Sequence, residues 1–355
     1  MNILSLLIVS FLYVYAFLLF YTTFLSKKKG RKGAFINNLA NTIVFVTSIT
    51  INLILIHWIN PLQPQFLAFP FDILFLGFII LYIPLFIILV IKEMRMIKGG
   101  KRPFEEYKTL KLDLPLKYDI YRKITHFIVI GIIFSYFTLG FLIQNFFIYL
   151  LDLLPNFVII MFDTGDNIMN FTQNLVVFLV GISLIGLLTA DFSRILIPKY
   201  FPLKGINQIL KEKELHMRLG PHISMSIGCF SIILLFGLIQ PIGPIVICTS
   251  MIMGVFGDTA SNLIGRTKGK RKIRNTNKTY EGLLAGIIVA LLSGFIVLYI
   301  LQDFYKPKNF GSFFIPIIGA LLIGLIDYLD LEIDDNLSNN FILSTLLFFT
   351  SILFF

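Results

Sequence analysis

Residues 257–282 read GDTASNLIGRTKGKRKIRNTNKTYEG. This polar and strongly basic stretch lies between two apolar runs, 243–256 and 281–301. Cations concentrated between apolar runs are typical of a loop that joins two transmembrane helices. The stretch therefore predicts a membrane protein whose charged groups gather at a membrane surface.

The composition of the whole chain agrees with a membrane protein. Hydrophobic residues make up 57% of its 355 residues and charged residues only 14%. Apolar runs of about 20 residues, enough to cross a bilayer, recur along it. The predicted fold is an all-α, polytopic integral membrane helix bundle with no soluble domain. Ten transmembrane spans are predicted, at 2–25, 36–58, 67–91, 124–149, 171–190, 221–239, 243–256, 281–301, 312–326 and 341–355.

The positions of lysine and arginine give the chain an orientation, because these residues accumulate in cytoplasmic loops. Of the 30 lysines and arginines, 28 fall in four segments that alternating spans place on one side of the membrane. We therefore predict that this side is cytoplasmic and that the amino terminus lies outside. The apolar segment 150–162 is expected at the outer interface. The four basic segments are 26–33, 92–123, 191–218 and 257–280.

The segment 327–340 is acidic, although the same alternation places it on the cytoplasmic side. It holds five carboxylates and no cation. A solvated acidic loop is one interpretation. Clustered carboxylates are also the ligands that Mg²⁺ uses together with substrate phosphates, and segment 257–280 lies across the same surface with its cations. The two segments therefore predict a site for a metal ion and a phosphorylated ligand.

Four sequence elements follow one another between residues 120 and 340. They are Arg122-Lys123-Ile124-Thr125-His126; Asp191-Phe192-Ser193-Arg194 with the later Leu210-Lys211-Glu212-Lys213-Glu214; Gly257-Asp258, Gly265 and Gly269-Lys270 followed by Lys278-Thr279-Tyr280-Glu281-Gly282; and Asp335-Asn336-Leu337. Together they resemble the signature of the dolichol kinase and phytol kinase family, integral membrane enzymes related to phosphatidate cytidylyltransferase. The chain departs from that signature in two places. The proline that usually follows the Asp-Asn element is absent, and Asp327 stands where relatives often carry glutamate.

The resemblance implies a division of the chain and a set of roles. Residues 1–120 would form an N-terminal three-helix membrane region with a cytoplasmic loop, and 121–355 a membrane-embedded catalytic core. CTP is implied as the phosphoryl donor and Mg²⁺ as its metal ion, with Asp258 and Asp335 as metal ligands. The residues alone do not distinguish CTP from ATP. Catalytic roles are implied for Asp258, Lys278, Glu281, Asp335, Asn336 and His126. Contacts to the nucleotide are implied for Gly257, Gly265, Lys270, Thr279, Arg122 and Lys123.

Residues of the basic segment also have ordinary structural interpretations. Asp258 is predicted at the end of a short helix, and an aspartate is a common helix cap. Lys278 and Glu281 are three residues apart at the predicted start of a helix, which places them on one face. Thr279 could cap that helix, and Glu281 suits its first turn, while free N–H groups there would favour bound phosphate. Most of the cations in 266–274 are expected to attract anionic lipids.

The earlier elements have structural interpretations as well. Arg122 and Lys123 suit a membrane boundary, where basic side chains extend toward the headgroups. His126 would enter the apolar span about one turn deep, where an ionisable group favours a functional role. A hydrogen bond to a neighbouring carbonyl explains this histidine nearly as well. Asp191 and Arg194, three apart on one helix face, could form a local ion pair.

The predicted function is that of a lipid kinase. It would transfer the γ-phosphoryl group of CTP to the hydroxyl of an isoprenoid alcohol of the dolichol, polyprenol or phytol type. The reaction would take place at the cytoplasmic face of a plasma membrane or an endoplasmic reticulum membrane. Phosphoryl transfer needs mainly positioning and charge neutralisation, which loops carrying carboxylates and cations can provide. Asp258 or Asp335 would orient or deprotonate the hydroxyl.

Three other functions are alternatives. A CTP-dependent diacylglycerol kinase and a lipid-phosphate cytidylyltransferase have related chemistry, although the Ser-x-Leu-Lys-Arg and Pro-Gly-His-Gly-Gly elements of the cytidylyltransferases are absent. A non-catalytic lipid transporter or scaffold is the alternative from another class. Transporters tend to show internal repeats, and none is evident in this sequence. No nucleic-acid partner is expected, and the sequence carries no signal for an oligomeric state.

Overall fold

The structure, a computed structural model, describes residues 1–59, 61, 64–100, 116–152, 168–215, 217–274, 276, 278–304, 307–308 and 310–354. Within these ranges the regular secondary structure is helical, apart from one isolated antiparallel bridge between Lys272 and Thr279. The predicted all-α fold is thereby confirmed. The predicted outer segment 150–162 lies almost entirely outside the described residues.

Thirteen α-helices follow one another along the described chain. They are α1 (Ile3–Lys28), α2 (Lys32–Ile59), α3 (Phe71–Lys98), α4 (Leu116–His126), α5 (Ile128–Phe134), α6 (Gly140–Asp152), α7 (Ile168–Leu196), α8 (Glu212–Leu215), α9 (Pro221–Phe236), α10 (Ile242–Lys268), α11 (Tyr280–Leu301), α12 (Gly311–Leu329) and α13 (Asp335–Ser351). A π-helical turn, Ser135–Leu139, joins α5 to α6. Two short 3₁₀ helices, Pro198–Tyr200 and Lys204–Ile209, follow α7.

Eight helical runs of the described chain are long and apolar enough to cross a membrane. They are α1, α2, α3, the run Ile120–Leu150, α7 from Met169, α10, α11 and α12. Helix α9 is apolar but has only 16 residues, and α13 has 17. With a rise of ~1.5 Å per residue, both are shorter than the roughly 30 Å of a bilayer core. The long apolar helices indicate an integral membrane protein, as predicted.

Several helices extend beyond the spans predicted from hydrophobicity, and three of these extensions carry residues of the predicted motifs. Helix α7 continues to Leu196, α10 continues to Lys268 and α13 begins at Asp335. The predicted loop 327–340 is therefore shortened to residues 330–334. The predicted spans did not include these helical extensions because hydropathy reports where the apolar membrane core ends, which need not be where the helix ends. A helix continues for as long as its residues tolerate the helical backbone and its surface finds packing partners.

The described residues fall into two compact units. Unit 1 draws on residues 1–125 and 178–227, and unit 2 on residues 126–177 and 228–354, in each case within the described ranges. The predicted division at residue 120 rests on sequence motifs and stays a prediction.

Within unit 1, polar side chains join three of the membrane helices. The hydroxyls of Tyr15 in α1 and Thr189 in α7 are 2.5 Å apart and share a hydrogen bond. The hydroxyl of Tyr82 in α3 donates to the carbonyl oxygen of Gly186 in α7 (3.0 Å). Hydrogen bonds between membrane helices hold them in register where apolar packing alone would let them slide.

Helix α10 is the central helix of unit 2. It packs against α11, α12, α13 and α5, and 83% of its apolar stretch is buried, compared with 33% for α11. Glycines let α10 and α11 approach closely. A Cβ at Gly282 would lie 2.6 Å from the carbonyl oxygen of Ser261, and one at Gly257 would lie 3.1 Å from the Cβ of Ala290. Small residues permit such backbone contact between membrane helices, and the contact fixes the start of α11 against the polar half of α10.

Candidate functional site

Lys278 is surrounded by carboxylates at the end of unit 2 where α10 and α12 end and α11 and α13 begin. Its Nζ lies 3.2 Å from Oδ1 of Asp327, 3.2 Å from Oδ1 of Asp330 and 3.4 Å from Oδ2 of Asp335. Asp327 is in the last turn of α12, Asp330 directly follows that helix, and Asp335 is the first residue of α13. The lysine of the basic segment therefore binds the carboxylates of the acidic segment.

In the segment between α10 and α11, the described residues 271–274 and 278–280 pair as a short hairpin that includes Lys278. The Ile273 N–H donates to the carbonyl oxygen of Lys278 (2.9 Å), and the Tyr280 N–H donates to that of Arg271 (2.9 Å). Thr279 has an extended backbone, and its hydroxyl oxygen accepts a hydrogen bond from the third N–H of α11 (3.2 Å). The interpretation of Thr279 as a helix cap is confirmed. Its predicted contact with a nucleotide stays a prediction.

Glu281 binds the backbone of the hairpin. Its Oε2 accepts hydrogen bonds from the N–H groups of Lys270 (3.1 Å) and Arg271 (3.2 Å), and the Lys270 side chain is exposed. The prediction that Lys278 and Glu281 share a helix face was wrong. Lys278 lies outside the helix, before the extended capping residue, and its side chain turns to a different set of partners. Catalysis by Glu281 and phosphate binding by Lys270 stay predictions.

The tip of the hairpin is attached to α12. The guanidinium of Arg274 lies over the ring of Tyr328, 4.6 Å from the ring centroid, and its Nη2 donates to the Tyr328 hydroxyl (3.1 Å). Such a cation–π contact contributes about 0.5–1 kcal/mol at exposed sites. Because Tyr328 follows Asp327, this contact holds the hairpin beside the carboxylates that Lys278 binds.

Ser261 belongs to the cluster although no role was predicted for it, and Asp327, predicted only as one carboxylate of the acidic segment, belongs to it as well. The Ser261 hydroxyl donates to Oδ2 of Asp327 (2.7 Å), while Oδ1 binds Lys278. Asp327 is only 4% exposed. Ser261 lies three residues after Asp258 on α10, so the two residues share a helix face. Two signals in the sequence could have identified Ser261 and Asp327. One is the spacing of three between Asp258 and Ser261, and the other is a carboxylate in the last turn of an apolar helix.

Asp335 and its neighbours form the amino terminus of α13. Asp334 caps the helix, because its Oδ1 accepts hydrogen bonds from the backbone N–H (3.0 Å) and the side-chain amide (2.7 Å) of Asn336. Burial raises the pKa of Asp335 to about 6, the ammonium of Lys278 acts in the opposite direction, and the neighbouring carboxylates, Asp258 foremost, add to the rise. A third of the Asp335 side chain stays exposed (33%), so solvent can exchange its proton. Catalysis by Asn336 stays a prediction.

Negative charge is in excess in this cluster. Burial lowers the pKa of Lys278, but the three carboxylates outweigh burial, Asp335 most of all, and raise that pKa above its ordinary value. The ammonium therefore stays charged. Among the described residues, no three Asp, Glu, His or Cys side chains are arranged to hold one metal ion. The donor set nevertheless suits Mg²⁺, which prefers carboxylate oxygens, so metal binding by Asp258 and Asp335 stays a prediction.

Asp258 lies inside α10, ten residues before its last residue, Lys268, and is 8% exposed. The prediction that it ends a short helix was wrong, because α10 continues through the polar sequence where it packs on α11. Two glycines of the motif serve this packing. Gly257 faces α11 directly, and a Cβ at Gly265 would lie 3.2 Å from Oγ1 of Thr279. Contacts of Gly257 and Gly265 with a nucleotide stay predictions.

His126 is the last residue of α4 and is 1% exposed. The next residue, Phe127, separates α4 from α5 and packs edge-on against Phe256 of α10, with ring centroids 5.1 Å apart. Phe256 precedes Asp258 by two residues. His126 therefore directly precedes Phe127, the residue that packs on the part of α10 that carries Asp258. Its predicted catalytic role stays a prediction.

Unit 1 contains a second, buried polar cluster. The Nε of Arg194 donates to Oδ1 of Asp191 (2.6 Å), which confirms the ion pair predicted from their spacing. Its Nη1 and Nη2 donate to the carbonyl oxygens of Glu214 (2.9 Å) and Arg218 (2.7 Å). The Oε1 of Glu214 lies 3.2 Å from Nη1 of Arg122. Residues from two of the sequence elements, the one with Arg122 and the one with Asp191, Arg194 and Glu214, therefore bind one another.

The burial of this cluster changes the interpretation of Arg122. Arg122 and Lys123 are each 8% exposed. Arg122 is therefore a buried ion-pair partner of Glu214. The expectation that its side chain extends toward the headgroups was wrong, because the ion pair holds the side chain inside unit 1. Contacts of Arg122 and Lys123 with a nucleotide stay predictions.

Helix α2 supports the same part of unit 1, although no motif was identified in the first three spans. The Nδ2 of Asn38 donates to the carbonyl oxygen of Met217 (2.8 Å), and its Oδ1 accepts from the Leu219 N–H (2.9 Å). Nη2 of Arg218 donates to Oδ1 of Asn37 (3.4 Å). Successive polar residues on an apolar helix were the signal for this contact, because a buried amide needs a partner.

No protein-family model matches the chain, and neither a curated protein nor a solved structure matches it. The fold and the site alone therefore define its class. The protein is an integral membrane protein of long apolar helices that carries a lysine–carboxylate cluster at one end of the helices of unit 2.

Proposed function

We propose that the protein is a CTP-dependent lipid kinase that phosphorylates the hydroxyl of an isoprenoid alcohol of the dolichol, polyprenol or phytol type. The observation that carries the proposal is the gathering of carboxylates around Lys278 at one end of apolar helices. Phosphoryl transfer depends on positioning and on neutralisation of charge. A lysine and carboxylates beside a lipid-facing surface support that chemistry, and the sequence resemblance supplies the classes of donor and acceptor.

The residues of the cluster would have different roles in the reaction. Lys278 would bind phosphate oxygens of the donor, since an ammonium is a compact charge with three N–H donors. Asp258 and Asp335 would hold the metal ion, with Asp327 beside them. When bound, Mg²⁺ would neutralise negative charge on the phosphates. Asp258 or Asp335 would orient the acceptor hydroxyl or take its proton.

The amino terminus of α11 supports phosphate binding next to Lys278. The first N–H groups of a helix point outward, and the helix dipole favours an anion there. The close packing at Gly265 and Gly282 holds this amino terminus against α10. Lys270, exposed in the hairpin, would supply a further cation to the phosphates. Roles for Asn336, Glu281 and His126 rest on the resemblance alone.

We also propose a topology for the chain. Ten helices would cross the membrane, with α9 and α13 as the short members, and the amino terminus would lie outside. The site would face the cytoplasm from a plasma membrane or an endoplasmic reticulum membrane. The concentration of 28 of the 30 lysines and arginines in four alternate segments supports this orientation.

The kinase proposal is tested with membranes that contain the full-length protein. CTP or ATP labelled at the γ-phosphate is offered with a polyprenol, a phytol-type alcohol or diacylglycerol, with and without Mg²⁺. We expect label in an isoprenyl phosphate that depends on CTP and Mg²⁺. Asp258→Asn should lower the rate about 100-fold or more, the scale on which loss of one group that stabilises transition-state charge acts.

Asp303→Asn is the matched control, because it removes an exposed aspartate that lies outside the cluster. This control should keep the wild-type rate. Label in phosphatidate would move the proposal to a diacylglycerol kinase, and release of pyrophosphate would indicate cytidylyl transfer. A folded protein that transfers label to no lipid would contradict the proposal and favour a transporter or scaffold.

A further inference from the structure

Helix α3 has one face packed on unit 1 and an opposite face left open. Of the eight long apolar helices in the described chain, α3 is the least buried, with 17% of its apolar stretch inside the structure. On the packed face, Phe86 lies against Ala190 and Phe201. Glu93, seven residues after Phe86 and therefore on the same side of the helix, binds Lys204 (3.2 Å). The opposite side of α3 faces the bilayer.

The open face carries a cleft near the end of α3. The cleft has a volume of about 410 Å³, within the roughly 300–1,000 Å³ of sites that bind small molecules. Its lining residues repeat at helical spacings of three and four, so they share this face. They are three apolar residues and two cations: Ile88, Ile91, Met96, Lys92 and Arg95. An apolar surface and a concentration of positive charge therefore lie side by side.

The two cations of the cleft are not neutralised within the described part of the chain, where neither Lys92 nor Arg95 forms an ion pair. Glu93 lies between them in the sequence, but its side chain is 3% exposed and binds Lys204. Lys92 and Arg95 are three residues apart, so their side chains are neighbours on the helix surface and repel each other. An anion bound between them would remove this repulsion.

We propose that the cleft binds an anionic phospholipid, whose phosphate lies between Lys92 and Arg95 and whose acyl chain lies along Ile88. A guanidinium binds phosphate oxygens through paired N–H donors, and an ammonium binds them as a compact charge. Acyl chains fill the apolar part of a face that is turned to the bilayer. A membrane lipid supplies both groups in one molecule, which a free phosphate does not.

The position of the cations along α3 suits a lipid headgroup. Arg95 follows Ile88 by seven residues, or ~10 Å along the helix axis, and lies in the last turn of α3. The charged part of the cleft is therefore nearer the membrane surface than its apolar part is. In the proposed topology this end of α3 lies in the cytoplasmic leaflet, where anionic lipids create a negative surface potential.

The test places a tryptophan beside the cleft and measures which lipid quenches its fluorescence. Trp58→Phe removes the single natural tryptophan, and Leu85→Trp adds the reporter one turn before Ile88, at a position that is 60% exposed. The full-length protein is reconstituted in vesicles of phosphatidylcholine and phosphatidylglycerol, and one lipid or the other carries bromine on its acyl chains. We expect phosphatidylglycerol to bind beside the reporter about tenfold or more tightly than phosphatidylcholine, because each cation near an anionic headgroup contributes about fivefold.

Lys92→Gln combined with Arg95→Gln should abolish this preference for phosphatidylglycerol. Lys28→Gln combined with Lys29→Gln is the matched control, because it removes two exposed lysines at the end of α1 and leaves the cleft intact. The control should keep the preference of the natural cleft. No preference with the natural cations would overturn the lipid site. Equal preferences in the two double variants would also overturn it, since any attraction would then be a general effect of charge.

The lipid site and the kinase proposal are tested separately, because the cleft belongs to unit 1 and the lysine–carboxylate cluster to unit 2. A preference for phosphatidylglycerol in a protein that phosphorylates no lipid would remove only the kinase proposal. Lipid kinase activity in a protein without that preference would remove only the lipid site.

Discussion

Asp335 holds a proton more readily in the folded protein than in the unfolded chain. Its pKa rises from 3.8 to about 6, chiefly through burial. Between these two values the folded protein binds more protons than the unfolded chain does. The free energy of unfolding therefore falls as the pH rises through this window, and above the window Asp335 adds no further pH dependence.

An asparagine at position 335 cannot ionise, so the variant Asp335→Asn should lack this fall in the free energy of unfolding with rising pH. We expect the difference in thermal midpoint, variant minus wild type, to increase as the pH is raised from about 4 to about 6. Above about pH 6 the difference should stay constant. Midpoints would be measured by scanning fluorimetry in metal-free detergent solution. A difference that stays constant across the whole window would contradict the raised pKa of Asp335.

Contacts between near neighbours in the sequence were predictable at the residue scale, and contacts between distant residues were not. The pair Asp191 and Arg194 follows from a spacing of three on one helix. Lys278 and Asp327 are 49 positions apart, and their contact depends on where α12 ends and how the hairpin turns. The sequence predicted that their segments share a surface. It did not predict the direction of the Lys278 side chain, which the capping residue determines.

At the scale of elements, the packing of α11 on α10 depends on the close approach of their backbones at Gly282. A Cβ at Gly282 would lie 2.6 Å from the Ser261 carbonyl oxygen and 3.0 Å from the Cα of Gly265, both backbone atoms. Backbone cannot turn aside as a flexible side chain can. Gly282→Ala should therefore force the helices apart and lower the free energy of unfolding by ~1–3 kcal/mol, measured as a lower thermal midpoint in detergent.

Gly77 of α3 provides the matched control, because a Cβ there would meet no atom within 4 Å. Gly77→Ala should leave the stability unchanged or raise it by ~0.5–1 kcal/mol, the ordinary gain when alanine replaces glycine inside a helix. If the two substitutions changed the stability equally, the glycine contact would not be what holds α10 to α11.

The existence of the helices was predictable from their apolar runs, whereas several of their ends were not. The polar residues after position 256 suggested a loop, yet α10 continues to Lys268. Its polar half finds partners that no single segment reveals, since Ser261 binds Asp327 of α12. Tertiary contacts of this kind override the local signal that marks a helix end.

At the scale of the whole molecule, the proposed topology places the two ends of α11 on opposite sides of the membrane. Asp303→Cys and Lys272→Cys test this arrangement. The native Cys229 and Cys248 are buried and should not react with a membrane-impermeant maleimide. In sealed vesicles with the outer face exposed, residue 303 should be labelled at once and residue 272 only after permeabilisation. Labelling of both without permeabilisation would contradict the topology.

Composition was enough to predict the class of the molecule, but not the grouping of its helices. The amide of Asn38 binds the backbone at Met217 and Leu219, which are 179 and 181 positions away. Such contacts between distant segments place α2 in one unit with the segment after α7. An apolar run carries the information that a helix crosses a membrane and none about which other helix it meets.

The contact between Arg274 and Tyr328 has a consequence for the timing of events at the cluster. Arg274 has a φ of 49°, a left-handed conformation that costs about 1–3 kcal/mol for a residue with a side chain. The aromatic ring compensates part of that strain while the arginine stays stacked on it. Without the ring, the turn would relax and the hairpin would move on the nanosecond-to-microsecond scale of free loops. We therefore expect Tyr328 to prolong the contact of Lys278 with its carboxylates, because the ring holds the hairpin that carries the lysine.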